Sequence, residues 1–184
     1  LIDLDNGHEL VPDGSGIGHY ELLRDEPYEW DAWDIQRDAF LSAEGIDDSH
    51  VERVTETKRG GATVHVSSTT DGVSITLRAK SKSLEFRTKV DWRASERFLK
   101  VDIPMAIQAD RAQYECQYGM VERPIQKNTR SDEAKYESCT HRFVRVADAG
   151  YAAAVVNAST YGSDVSPIHR NTASGPVRGT MIRL

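Results

Sequence analysis

Val73-Ser74-Ile75-Thr76-Leu77-Arg78-Ala79-Lys80 decides the fold class. Val73, Ile75, Leu77 and Ala79 alternate with Ser74, Thr76, Arg78 and Lys80, so one face is apolar and the other wet, as a half-buried β-strand requires. Asp71-Gly72 separates this run from Thr63-Val64-His65-Val66. Glycine tolerates the positive φ of a tight reversal, so the two runs read as a hairpin. Leu84, Phe86, Thr88, Val90 and Trp92 repeat the period against Glu85, Arg87, Lys89 and Asp91. Leu99, Val101, Ile103 and Met105 repeat it again.

Further strands are expected over residues 113–120, 135–141, 143–146, 151–157 and 180–184. The run Tyr151-Ala152-Ala153-Ala154-Val155-Val156 is apolar without alternation. Gly150 before it and its β-branched valines favour a strand buried on both faces over a helical turn. No window of 12 or more residues has a good helical period, and the best candidate, 35–43, is short and lacks a strong cap. Residues 13–29 and 122–132 read as long loops, the places where an all-β scaffold carries function. Many short strands between turn signals predict a β-sandwich.

The chain has 184 residues and a formal net charge of -6, which suits one domain with a core of its own. Its 23 basic residues form no stripe, which excludes nucleic acid as an expected partner. No apolar run approaches the roughly 20 residues of a membrane-spanning helix. Cys116 and Cys139 are too few for a disulfide framework. They read as free thiols in a reducing compartment, with a single cross-strand disulfide as the alternative. The six histidines are scattered without metal-ligand spacing, and His65, on a strand, reads as structural.

The stretch Pro27-Tyr28-Glu29-Trp30-Asp31-Ala32-Trp33-Asp34 packs three large aromatics and three acids into eight residues. Aromatic faces stack on the C–H faces of sugar rings, and carboxylates accept hydrogen bonds from sugar hydroxyls. The plain alternative is a loop pinned to the core by tryptophan, with its acids in water.

This stretch, continued by Ile35, resembles the corresponding segment of family 38 α-mannosidases of the bacterial and cytosolic type. Val90-Asp91-Trp92-Arg93 and Phe98-Leu99-Lys100-Val101-Asp102-Ile103-Pro104 are similar to that family's next strand pair. Tyr114-Glu115, Tyr118-Gly119, Val121-Glu122-Arg123-Pro124 and Asn128-Thr129 follow in the family's order. Ala134-Lys135-Tyr136-Glu137, His141-Arg142, Gly150-Tyr151, Asn157 and Tyr161-Gly162-Ser163-Asp164-Val165 complete it. The resemblance runs from about residue 27 to 165.

The resemblance implies an all-β fold, a β-supersandwich of antiparallel strands truncated at both ends. It would be a single domain over 1–184, a fragment of the C-terminal region of a larger α-mannosidase. The implied function is that of a non-catalytic β-domain of a retaining, zinc-dependent hydrolase of α-mannosidic bonds. Zinc and the two catalytic acids belong to the parent's other domain, and the fragment itself is expected to hold no cofactor and to be inactive alone. Implied partners are the catalytic domain of the same chain and a mannose-containing oligosaccharide, and the implied compartment is cytoplasmic. An autonomous carbohydrate-binding module and a purely structural buttress are the competing readings.

Candidate substrate-side residues are Trp30, Asp31, Trp33 and Asp34, with Glu122, Arg123 and Tyr161 behind them. Glu122-Arg123-Pro124 reads equally as a salt-bridged turn, and Tyr161-Gly162 as a turn under an aromatic lid. Asp91 and Arg93 read as cross-strand pairing. Apolar end strands without neighbours, at residues 1–4 and 181–184, would leave open edges and favour a homodimer.

Overall fold

The computed structural model describes residues 1–30, 35–46, 50–58, 60–67, 73–77, 81–158 and 160–184. In chain order its strands are β1 (Ile2–Asp3), β2 (His8–Glu9), β3 (His19–Arg24), β4 (Glu44–Gly45), β5 (His50–Glu56), β6 (Ala62–Ser67), β7 (Val73–Leu77), β8 (Leu84–Thr88), β9 (Arg97–Met105), β10 (Arg111–Cys116), β11 (Gly119–Pro124), β12 (Ser138–Cys139), β13 (Phe143–Ala147), β14 (Ala152–Val156), β15 (Gly162–Thr172) and β16 (Gly175–Arg183). A 3₁₀ turn at Arg37–Ser42 and one helical turn, α1 (Arg130–Glu133), complete the described elements. The fold is all-β and the described sheets are antiparallel, as the alternation predicts.

The chain divides into two compact units, Leu1–His19 with Lys100–Leu184, and Tyr20–Leu99. In the first unit a four-stranded sheet runs β11-β10-β13-β14, and a second sheet runs β12-β15-β16-β9. Ala112, Tyr114, Val144 and Val146 form the buried face of the four-stranded sheet. In the other sheet Ile103, Ile182 and Val165 are in register and buried. Tyr114 ties the two sheets together, because its hydroxyl hydrogen-bonds to Ser138. Thr180 closes one end of this core by donating to the Ile107 carbonyl at 2.7 Å.

The second unit carries an antiparallel meander in the order β5-β6-β7-β8, as the alternating runs predict. Val66 pairs with Val73, which makes the expected hairpin, and Asp71-Gly72 lies outside the described residues. Strands β3 and β4 pair through Glu21 with Gly45 and Leu22 with Glu44. Between them the 3₁₀ turn falls within the predicted helical candidate. Its first residue follows an extended Gln36 that offers no side-chain cap, as expected. Leu23 and Ala39 are buried here.

Several local expectations are corrected. Residues 113–120 are not one strand but the hairpin β10–β11, reversing at Gln117-Tyr118, with Tyr118 at φ +66°. The expected loop 13–29 contains β3, and the expected loop 122–132 begins inside β11 and ends in α1. Residues 135–141 contribute only the two residues of β12. β14 is a strand, but it lies at a sheet edge with Ala152, Ala154 and Val156 exposed, not buried on both faces. Val90 and Trp92 follow β8 instead of extending it, and Arg93 pairs with Asp91 two residues away, not across strands. The C-terminal strand is β16, flanked on both sides by β15 and β9, and β1 pairs with β2, so neither lacks a neighbour. Cys116 and Cys139 are free thiols.

Candidate functional site

Of the aromatic and acidic stretch, Trp30 is described, while Asp31, Trp33 and Asp34 lie outside the described residues. Trp30 is 71% exposed and Tyr28 81% exposed, so neither ring pins the segment to the core. Trp30 also sits at φ +65°, a region that costs a side chain roughly 1–2 kcal/mol. Strain of this kind concentrates at functional sites.

Tyr28 borders a cleft of about 590 Å³ within the unit Tyr20–Leu99. Arg24 and Glu26 come from the end of β3 and the residues after it. Gln36 and Asp38 come from the start of the 3₁₀ turn, and Glu44 from β4. The Ser42 hydroxyl fixes this geometry, donating to the Ala39 carbonyl at 2.6 Å and accepting from the Arg24 amide at 2.9 Å. One short side chain thereby holds the turn against β3.

Glu122 and Arg123 are separated by strand alternation, since neighbours on a strand face opposite ways. Glu122 is outward: Gln113 Nε2 donates to its Oε1 at 2.7 Å, and Arg111 Nε lies 3.4 Å from its Oε2. Arg145 Nη1 donates to Gln113 Oε1 at 2.7 Å, so three strands share one polar ladder. This is cross-strand pairing rather than a salt-bridged turn. Arg123 pairs with buried Ala112 and turns inward, where its Nε is buried without a hydrogen-bond partner. Tyr161 is half-exposed and stacks at a tilt on His141, with ring centroids 5.6 Å apart. His141 Nδ1 in turn lies 3.9 Å from Glu115 Oε2.

The sequence reading gave no role to a buried charge network in the first unit. Asp164, Arg183 and Asp102 lie in register across β15, β16 and β9. Arg183 reaches Asp102 Oδ1 at 3.1 Å with Nε, and Asp164 Oδ1 at 3.0 Å with Nη1. Lys100 donates to both Glu137 oxygens, at 3.1 and 3.0 Å, and lies 3.4 Å from Asp164 Oδ2. Burial pushes the Glu137 carboxyl above the usual carboxylate range, against the pull of Lys100. Burial likewise pushes the Tyr114 hydroxyl up to about 12. Lys100, Glu137 and Asp164 all stand in the blocks that carry the family resemblance, the signal that could have found them. Their charges satisfy one another, which is the chemistry of a structural lock.

Comparison with known proteins places these features. The family profile described as "Glycosyl hydrolases family 38 C-terminal domain" matches residues 1–184. Alpha-mannosidase 2C1 of Mus musculus is 28% identical over 183 residues, covering 90% of this chain and 16% of that protein. The alpha-mannosidase of Saccharomyces cerevisiae is 27% identical over 173 residues, covering 88% of this chain and 16% of its own length. The chain thus spans 16% of the length of these curated relatives. A solved structure, a protein in the glycosyl hydrolase family 38 from Enterococcus faecalis, aligns with a TM-score of 0.52 at 14% identity, covering 97% of this chain and 23% of that one. That likeness shows the fold. The profile match takes in every residue from Leu1 to Leu184, and the chain belongs to the C-terminal domain family of the family 38 glycosyl hydrolases.

Proposed function

We propose that this chain is the non-catalytic β-domain of a longer, retaining α-mannosidase, that it supports the catalytic domain, and that segment 30–34 borders the sugar site. The observation that carries the reading is the whole-chain family match, together with relatives named as α-mannosidases that are much longer than the part matched. The exposed, strained Trp30 beside exposed Tyr28 supports the sugar-facing role of the segment. Among the described residues no group of three His, Cys, Asp or Glu side chains is placed to hold a metal ion. In this reading the zinc implied by the family belongs to the catalytic domain of the longer enzyme.

In this reading Trp30, Asp31, Trp33 and Asp34 offer stacking and hydrogen bonding to a mannose-containing oligosaccharide. Glu122, Arg123 and Tyr161 are the candidate sugar contacts of the first unit. The free thiols support a cytoplasmic setting, and no described helix is long and apolar enough to cross a membrane. The edge strands β11 and β14 offer backbone groups for pairing with a second copy.

The test uses the longer enzyme. Trp33→Ala and Asp34→Ala are each expected to lower kcat/KM by ten-fold or more, about 1.4 kcal/mol of transition-state binding, with little change in Tm for Asp34→Ala. An Asp34→Ala enzyme that melts much lower yet keeps its specific activity makes the segment structural. The 184-residue chain alone is expected to leave an aryl α-mannoside intact, with or without zinc. Turnover abolished by a chelator would overturn the non-catalytic assignment.

A further inference from the structure

The cleft beside Tyr28 differs from the buried charge network in one respect that decides what it can do. Lys100, Glu137, Asp164, Arg183 and Asp102 are engaged with one another. Along the cleft, the Arg24 guanidinium and the Asp38 and Glu44 carboxylates form no hydrogen bond or ion pair among the described residues. Glu26 faces Arg97 at 4.0 Å. A concave site lined by uncommitted polar groups is equipped for a polar ligand.

The kind of polar group narrows the ligand. A guanidinium offers parallel donors and a carboxylate offers paired acceptors, so together they match neighbouring hydroxyls, which both donate and accept. Tyr28 supplies an exposed ring at the rim, a surface for the C–H face of a pyranose. A divalent cation is the obvious competitor for three carboxylates, but among the described residues no three of them group to hold a metal. The volume of about 590 Å³ falls within the roughly 300–1,000 Å³ of small-ligand sites. Ser42, committed on both sides to Ala39 and Arg24, keeps the floor in place before any ligand arrives.

We infer that this cleft binds an α-linked mannose oligosaccharide, as a subsite for sugar units away from the bond that is cut. The inference rests on the α-mannosidase reading for the identity of the sugar, and on the cleft alone for its carbohydrate chemistry.

The test is an amide NMR titration of the 184-residue chain with α-linked mannobiose, with cellobiose as the comparison sugar. Saturable shifts at the amides of Arg24, Tyr28, Ser42 and Glu44 are expected with mannobiose and not with cellobiose. Tyr28→Ala and Asp38→Ala should each weaken binding by ten-fold or more while the spectrum stays dispersed. Silence at those amides, or an equal response to cellobiose, overturns the inference. Hydrolysis of an aryl α-mannoside by the longer enzyme, measured alongside, separates the two claims. Activity with a silent cleft removes only the subsite. A mannobiose-responsive cleft in a longer protein without activity upholds mannoside binding at the cleft and removes the α-mannosidase reading, and with it the role as a subsite of a cleaved substrate.

Discussion

The Lys100 ammonium donates to both carboxylate oxygens of Glu137, at 3.1 and 3.0 Å, with the lysine side chain only 3% exposed. A buried pair of this kind contributes little net stability, because desolvation offsets the attraction, but losing one partner strands the other. Lys100→Met should therefore cost about 3–5 kcal/mol, since it leaves both Glu137 and Asp164 short of a cation. Lys100→Met combined with Glu137→Leu should cost less than Lys100→Met alone. Urea unfolding at unchanged slope measures both, and a double variant weaker than the single one contradicts the account.

The same pair shows where the sequence was legible. Alternation over Leu99, Val101, Ile103 and Met105 placed β9 correctly, because period 2 records which residues share a face. It does not record what covers the opposite face, where Lys100 and Asp102 are buried. Their partners Glu137 and Arg183 lie 37 and 81 residues away, beyond any local pattern. The loop expected from residue 122 missed β11 for the converse reason: it ignored the alternation that turns Glu122 outward and Arg123 in. The hairpin β6–β7 was legible from local turn chemistry, whereas β3 was hidden in a segment rich in turn residues. The aromatic stretch was visible in composition, yet the cleft beside it draws on residues from three elements.

Gly162 and Gly179 are small because of what stands over them. A Cβ at Gly162 would meet Glu137 Oε1 at 2.7 Å, and one at Gly179 would land on the Met105 carbonyl oxygen and 2.9 Å from Pro12 Cγ. Overpacking of this sort costs about 1–3 kcal/mol. Gly179→Ala should be the more damaging, because a backbone carbonyl paired within a sheet yields less than a side chain. The cost of Gly162→Ala should shrink in the Lys100→Met background, where Glu137 is no longer held, and this coupling is read from a double-mutant cycle.

Trp30 trades stability for a surface. At φ +65° and 71% exposed, its ring returns little burial for the strain it carries. Trp30→Gly should raise stability by about 0.5–1 kcal/mol through relief of the left-handed backbone, against a small loss from added chain entropy. In the longer enzyme the same variant should lower kcat/KM. A variant that is both less stable and fully active would assign Trp30 to packing.

Tyr114 is expected to set the alkaline limit of the first unit. Burial raises its hydroxyl from 10.0 to about 12, and Asp164 and Glu137 add to the rise. The folded chain therefore keeps this proton at a pH where the unfolded chain has released it. The resulting stability is full below about pH 10 and is lost as pH rises through about 12, by the linkage of proton binding to folding. Between about pH 10 and 12 this amounts to about 2.7 kcal/mol. Tyr114→Phe removes the titrating group and the hydrogen bond to Ser138, so it should cost about 1 kcal/mol near neutrality. In return its stability should fall less steeply between about pH 10 and 12. Denaturant midpoints across that range decide the matter, with tyrosinate absorbance followed in parallel. An equally steep decline in the variant would place the alkaline limit elsewhere, with Tyr20, whose hydroxyl burial also raises, as the next residue to substitute.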